Sequence, residues 1–308
     1  MILSIDFRTD IPAFYSEWLL NRFKEGFVYF RNPAAPSTIH KIILDRQHIE
    51  GIMWCSKDYL PILHSLNQIT DKFPSIFHYT ITGYGQDIEP NVLDLEQSIY
   101  TFKELSERYG KDKVIWRYDP IFFTKEWTYE QHIQNFQYIN KQLCRHAGRV
   151  VLNFVSLYEK VKRHMPDLKE VSYNDKANLI HDFVNISSIP VQTCGNGLQF
   201  KDLEGVEVTG CLDEHALNLM GIYPKAPKGN AVPWGCLCYP NTCIGEYNTC
   251  LHKCKYCYAS ADFDKCDENF SKHDPKSPLL IGWPRGDEQI IEMKPKLLNT
   301  NQTKINFD

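Results

Sequence analysis

The sequence predicts an α/β protein, a complete or partial (β/α)8 TIM-type barrel followed by a cysteine-rich segment that folds back to the barrel mouth. Three observations carry this expectation. Short apolar, β-rich runs alternate with helix-length amphipathic stretches, the pattern of parallel βαβ units. About seven such units fit before residue 229, more than a short open sheet needs. Most of the apolar runs also end in polar side chains, and ligands of parallel α/β folds bind at the carboxyl ends of the strands. The expected divisions are a barrel over 1–228, a cysteine-rich segment over 229–288 and a polar, Lys-rich tail over 289–308, loosely attached.

The first strand is expected at Ile2–Phe7, running into Arg8 and Asp10. Pro12 to Glu25 reads as a helix, with Phe14, Trp18, Leu19 and Phe23 at helical spacing, a proline near its start and Gly26 as its stop. Strands follow at Gly51–Cys55, ending in Ser56 to Asp58, and at Ile76–Thr82, ending in Thr82 and Tyr84. Asn91 to Tyr109 is helical through Leu95, Ile99, Phe102 and Leu105 and stops at Gly110. Val114–Tyr118 carries Arg117 and leads to Asp119, a pair that either lines a site or braces the rim. Thr128 to Ala147 repeats the helical pattern through Ile133, Phe136, Ile139 and Leu143. Arg149–Val155 is a strand with Asn153 and Ser156 at its end, Asp175 to Ile186 a helix, Pro190–Cys194 a strand and Val206–Thr209 a weaker one.

The 308 residues carry 34 Lys+Arg against 38 Asp+Glu, with 43% hydrophobic and 23% charged residues, the profile of a folded domain and not of a disordered chain. No apolar stretch is long enough to span a membrane, and no leader is evident, so a cytoplasmic protein is expected. A net charge of −4 argues against non-specific nucleic-acid binding. The eleven histidines form no His-Glu-x-x-His element, and no Walker A loop, dinucleotide glycine motif or nucleophile elbow is present.

The anomaly is cysteine. Of eleven, seven fall in the 31 residues from Cys236 to Cys266. In a reducing compartment and a chain of this length, thiolate ligation of metal is a better reading than disulfides. Cys250-x3-Cys254-x2-Cys257 puts three thiols close together. Three thiolates suit a [4Fe–4S] cube with one open iron, although three cysteines also occur in zinc sites. Cys194 and Cys211, at or after strand ends, with Cys236 and Cys238, make a second set for an auxiliary [4Fe–4S] cluster or a structural zinc. The alternative is that Cys194 and Cys211 are small buried apolar residues. Cys243 is a surplus ligand or a local substitution, and Cys144 and Cys266 read as packing or surface residues. His252, inside the triad loop, either tunes a cluster's potential or is simply exposed.

The triad, with Tyr256 directly before its last cysteine, resembles the radical S-adenosylmethionine signature. The resemblance implies a [4Fe–4S] cluster on Cys250, Cys254 and Cys257, S-adenosylmethionine on the open iron and Tyr256 near the adenine. It also implies an electron donor such as flavodoxin or ferredoxin. The chain from residue 1 to about 288 further resembles the DUF1848 family. That likeness rests on Arg8-Thr-Asp-Ile-Pro-Ala-Phe-Tyr15, Thr80-Ile-Thr-Gly-Tyr84 with Glu89-Pro90, and Trp116-Arg-Tyr-Asp-Pro-Ile121. It continues through Phe154-Val-Ser-Leu-Tyr158, Ile244-Gly-Glu-Tyr-Asn-Thr-Cys250, Cys257-Tyr-Ala259 and Ser277-Pro-Leu-Leu-Ile-Gly282. Three departures stand out. The triad comes last and not after the first strand, no Gly-Gly-Glu segment follows an early strand, and Met53-Trp-Cys-Ser-Lys-Asp58 differs from the expected Trp-Thr-Lys-Asn-Pro form.

The expected activity is reductive cleavage of S-adenosylmethionine to start hydrogen abstraction from a small molecule or another substrate. Arg8, Asp10, Lys57, Tyr84, Arg117 and Asp119 are candidate catalytic residues, and Tyr256, Thr82, Asn153 and Ser156 candidate cofactor contacts. Competing readings are a non-catalytic metalloprotein that binds a partner, and a radical enzyme acting on nucleic acid, because Cys257-Tyr-Ala259 resembles the run of photoproduct-lyase-like enzymes. Lewis-acid chemistry of the hydro-lyase kind at an open iron is a further one.

Overall fold

The computed structural model describes residues 1–5, 7–194, 196–224 and 236–298. The predicted start of the cysteine-rich segment at 229 and the last residues of the tail, 299–308, lie outside them.

Strands β1 (Ile2–Ile5), β2 (Phe27–Asn32), β3 (Ala35–Ile43), β4 (Gly51–Ser56), β5 (Ser75–Thr80), β6 (Val114–Ile121), β7 (Val150–Phe154), β8 (Val191–Thr193), β9 (Val206–Val208), β10 (Asn241–Cys243) and β11 (Gln289–Glu292) form two sheets. The larger has eight parallel strands in the order β10-β1-β4-β5-β6-β7-β8-β9. From β1 to β9 each new strand is added on the same side, the winding sense of a barrel and not of a doubly wound sheet. Among the described residues β9 and β10 do not pair, so the sheet stands open between them. Both edge strands are three residues long, too short to supply much ladder.

Helices α1 (Ile11–Phe14), α2 (Ser16–Glu25), α3 (Asn67–Thr70), α4 (Leu95–Tyr109), α5 (Tyr129–Leu143), α6 (Glu159–His164), α7 (Tyr173–Ile186), α8 (Glu214–Leu219) and α9 (Phe263–Ser271) complete the chain. The predicted helix at Pro12 to Glu25 breaks at Tyr15, whose hydroxyl donates to the Thr249 carbonyl at 2.6 Å. Asp94, Thr128 and Ser172 cap α4, α5 and α7 by accepting N–H bonds from the third residue on. No helix among the described residues is long and apolar enough to cross a membrane.

Alternation along the strands builds two layers. Leu3, Trp54, Phe77, Tyr79, Trp116 and Tyr118 pack outward on the long helices. Ile2, Met53, Ile76, Ile115 and Val151 face inward and pack with Leu212, Leu217 and Ile222 from around α8. Gly51, at the start of β4, would place a Cβ 2.8 Å from Met220 Sδ, so α8 covers the N-terminal end of the inner face. The carboxyl ends of the strands are left for the cysteine loops.

One sequence expectation needs correction. The tail is not loose at its start: β11 pairs in parallel with β3, and Leu298 N donates to Glu50 at 2.8 Å. Ile290 and Ile291 stay exposed there, so main-chain pairing and not burial holds the strand, and no apolar period betrays it. The cysteine-rich stretch joins the core: β10 extends the main sheet beside β1, and Ile244, Leu279 and Leu280 are fully buried.

One close contact gives a direct test. A Cβ on Gly148 would lie 2.9 Å from Asp112 Cα and 3.0 Å from its carbonyl oxygen, both backbone. Gly148→Ala is expected to cost about 1–3 kcal/mol in urea unfolding. A loss below a few tenths would mean that the 111–113 turn shifts freely.

Candidate metal centre and the pocket around it

The triad loop lies over the carboxyl ends of β1 and β4. Cys250, Cys254 and Cys257 line one cavity of about 140 Å³ with Arg8, Asp10 and Lys57. Cys55 lines it from β4. The loop needs left-handed backbone at two non-glycine residues, Asn248 (φ 54°) and Lys253 (φ 55°). Asn248 is well placed for this, since its side chain accepts from Ala261 N at 2.9 Å while its N–H donates to the Ala259 carbonyl at 3.0 Å. Cys257 Sγ accepts two backbone N–H bonds, from Ala259 and Ser260, each at 3.4 Å. Burial pushes the Cys250 and Cys254 thiols upward in pKa, and for Cys254 the Lys57 ammonium opposes that rise.

Asp10 ties three pieces of chain together. Its carboxylate caps α1 by accepting from Ala13 N at 3.1 Å, and accepts from Lys57 N at 2.8 Å and Ser56 Oγ at 2.6 Å. It also meets His252 Nε2 at 2.8 Å, inside the triad loop. The other ring nitrogen of His252 lies 3.1 Å from the Asn91 carbonyl, so His252 is a buried strut and not an exposed loop residue.

Glu89 is the second anchor. Its buried carboxylate accepts from Lys57 Nζ at 2.8 Å, from Thr82 Oγ1 at 2.8 Å and, in a short contact, from the Tyr256 hydroxyl. Burial alone would raise its pKa, but Lys57 and these hydrogen bonds outweigh it and hold the carboxyl below its ordinary range. Burial likewise opposes the charge on Lys57, and Glu89 reverses that, holding the ammonium above its ordinary value. Lys57 sits 5.6 Å from the Tyr256 ring centroid, and that ring packs against Tyr84 and Phe122. Beside the triad, the Glu246 carboxyl is pushed up to about 7 by burial.

The structure thus gathers Arg8, Asp10, Lys57 and Tyr256 with the triad, and disperses the rest. Thr82 faces Glu89 behind Tyr256 and lines a neighbouring cavity of about 260 Å³ with Tyr84, whose hydroxyl donates to the Pro120 carbonyl at 2.6 Å. Asn153 and Ser156 line a third cavity, about 310 Å³, because β7 stands three strands along from β4. Thr82, Asn153 and Ser156 therefore do not share the triad cavity with Tyr256, contrary to the expectation from strand ends.

Arg117 and Asp119 lie with the other cysteines. Arg117 Nη1 donates to Cys211 Sγ at 2.8 Å, its Nη2 lies 3.8 Å from Cys194 Sγ, and Nε donates to Asp119 at 3.1 Å. Cys211 touches both Cys194 and Cys238, and Cys238 touches Cys236. The surplus cysteines differ. Cys243 is half-buried on β10, Cys266 is fully buried on α9 and Cys144 ends α5.

Among the described residues no three His, Cys, Asp or Glu side chains stand as a ready cage for a single ion. The triad's donor set, three thiols on one cavity wall with two N–H bonds to the Cys257 sulfur, fits a thiolate-ligated cluster.

Glu89 and His78 carried no site expectation. Glu89 lies in a turn beyond β5 with no periodic or spacing signal; only its place beside Pro90 marked it. His78 sits mid-strand on β5, and its role appears only once Arg117 and Cys211 are placed beside it.

No curated protein and no solved structure matches the chain. A family model, that of a domain of unknown function, DUF1848, matches residues 2–259, which take in the whole main sheet and the cysteine triad, and the chain belongs to that family.

Proposed function

We propose that this protein is a radical S-adenosylmethionine enzyme whose triad, Cys250, Cys254 and Cys257, holds a [4Fe–4S] cluster. The carrying observation is that the three thiols share one cavity with two cations, Arg8 and Lys57, at the strand ends where parallel α/β folds bind ligands. When bound, the reduced cluster and S-adenosylmethionine supply a one-electron cleavage that begins hydrogen abstraction. An electron donor of the flavodoxin or ferredoxin class would deliver the electron.

The chain's own residues bind and orient. Arg8 and Lys57 offer positive charge to the amino-acid carboxylate, with Lys57 held in place by Glu89. Arg8 is held from behind by its bond to the Gly245 carbonyl at 3.2 Å and by the Tyr247 ring. Tyr256, fixed through its hydroxyl, presents a ring to the adenine. Asp10 and His252 hold the loop that carries the thiols.

The full chain, reconstituted anaerobically with iron and sulfide and given dithionite, is expected to convert S-adenosylmethionine to 5′-deoxyadenosine. Cys254→Ala should reduce that product to background, and cleavage that survives the substitution would sink the assignment. A second reading has one observation behind it: Cys55 lines the same cavity, and a fourth thiolate would close the cluster to S-adenosylmethionine. In that case the wild type is inert and Cys55→Thr acquires cleavage.

A further inference from the structure

We propose that Cys194, Cys211, Cys236 and Cys238 bind a second iron–sulfur cluster, which staples the sheet across its open seam. The site is assembled from three separate stretches of chain. Cys194 directly follows β8, Cys211 follows β9, and the Cys236-Leu-Cys238 turn precedes β10. β9 and β10 are the two unpaired edges of the sheet, so these cysteines meet where strand-to-strand hydrogen bonding stops. One main-chain bond spans the same gap, from Tyr239 N to the Leu212 carbonyl at 2.9 Å.

The backbone is shaped to bring the thiols together. A Cβ on Gly210 would lie 2.6 Å from the Cys238 N and Cα atoms, so only glycine lets the Cys211 loop press against the Cys238 turn. Gln192, fully buried on β8, donates to the Gly210 carbonyl at 2.9 Å and fixes that loop from below. This close approach is costly to arrange for four cysteines that merely fill space.

The surroundings suit a cluster. Arg117, itself buried, directs one N–H at Cys211 Sγ and lies near Cys194 Sγ, with Asp119 balancing its charge; such N–H···S bonds stabilise and tune cluster sulfurs. His78, fully buried beside Cys211 and Arg117, has neither ring nitrogen hydrogen-bonded, the kind of orphan polar group that cluster sulfides satisfy. The four sulfurs form a chain of contacts from Cys194 through Cys211 and Cys238 to Cys236, which brings four thiols to one centre, and the N–H groups of Arg117 and His78 beside them are what favours a cluster with inorganic sulfides over a single ion. Each thiol gives up its proton as its sulfur takes an iron of a preassembled [4Fe–4S] cluster, so transfer of the cluster onto the four thiolates releases four protons and leaves the oxidation states of its iron and sulfide unchanged. With every iron ligated, this cluster cannot take S-adenosylmethionine, and none of its four cysteines lines the triad cavity.

The test is an iron and sulfide count on the full-length protein, purified and reconstituted anaerobically, in three forms. The wild type is expected to hold about eight iron per chain, and the triad-free Cys250→Ala/Cys254→Ala/Cys257→Ala variant about four, with the spectrum of a [4Fe–4S] centre. Cys211→Ser/Cys238→Ser should halve the wild-type count, keep 5′-deoxyadenosine formation and unfold at lower temperature. About four iron in both the wild type and the triad-free form would leave this site standing and remove the triad reading instead. Four in the wild type with none in the triad-free form, or an unchanged count in Cys211→Ser/Cys238→Ser, overturns the proposal. So does about one zinc per chain in place of iron in the triad-free form.

Discussion

Glu89→Ala is expected to cost about 3–5 kcal/mol of folding stability, the usual penalty for removing one partner of a buried ion pair. Glu89 is 4% exposed and accepts three hydrogen bonds, so truncation strands the Lys57 ammonium, the Tyr256 hydroxyl and the Thr82 hydroxyl at once. The lost Coulomb attraction matters less than the charge left behind. Glu89→Leu/Lys57→Met should therefore recover a large part of the loss, because neither charge is then buried alone. The pH dependence has a definite sign. Glu89 is held below its ordinary pKa, so its contribution is complete above the unfolded value, about 4.3, and lost as pH falls through the lower folded value. Lys57 is held above its ordinary value, so its share is complete below about 10.4 and lost only as pH rises beyond that. Urea unfolding should accordingly show a constant Glu89→Ala penalty from pH 6 to 8 that narrows toward pH 3. A penalty under about 1 kcal/mol at pH 7 would mean that water reaches Lys57 as soon as the carboxylate is removed.

The strands were legible because each inner or outer face repeats with a period of two and each crossover helix with a period near 3.6. All seven predicted strands and all four predicted helices correspond to observed elements, with ends shifted by a few residues. The β2–β3 hairpin was missed, although Phe27-Val-Tyr-Phe30 alternates buried and half-buried residues and Asn32-Pro33 supplies a turn. Its third partner, β11, is more than two hundred residues away in the chain and wholly exposed, so no local pattern announces it. That Cys250, Cys254 and Cys257 meet in one cavity follows from their spacing within eight residues. The grouping of Cys194 with Cys211, Cys236 and Cys238 could be suspected, but what brings them together is the adjacency of β8 and β9 and the pairing of β10 with β1. Asn153 and Ser156 line a different cavity from Tyr256 for the same reason: strand-end position says which rim a residue occupies, not which part of it.

Asp10 is where folding and retention of the proposed cluster can be separated, because one carboxylate both caps α1 and braces the triad loop. Asp10→Ala removes the α1 cap and the acceptor for Lys57 N, Ser56 and His252 together, and is expected to cost about 2–4 kcal/mol, a cap plus charge-assisted hydrogen bonds. Asp10→Asn should be far milder in unfolding, because asparagine caps a helix about as well as aspartate. The amide nevertheless has a single acceptor oxygen, and that oxygen cannot serve the Ala13 and Ser56 side of the carboxylate and the His252 and Lys57 side together. If the cap keeps it, His252 loses its brace and the loop carrying Cys250 and Cys254 loosens while the fold survives. On the proposed reading, iron reconstituted at the triad should then pass to a competing chelator with roughly 10–100-fold weaker retention, the range found when a group supporting metal ligands is removed. His252→Ala should reproduce the loss of retention without the loss of the cap. Should Asp10→Asn keep its iron as tightly as the wild type, Asp10 would be a helix cap and nothing more, and the loop would owe its position to the Asn91 and Tyr15 bonds instead.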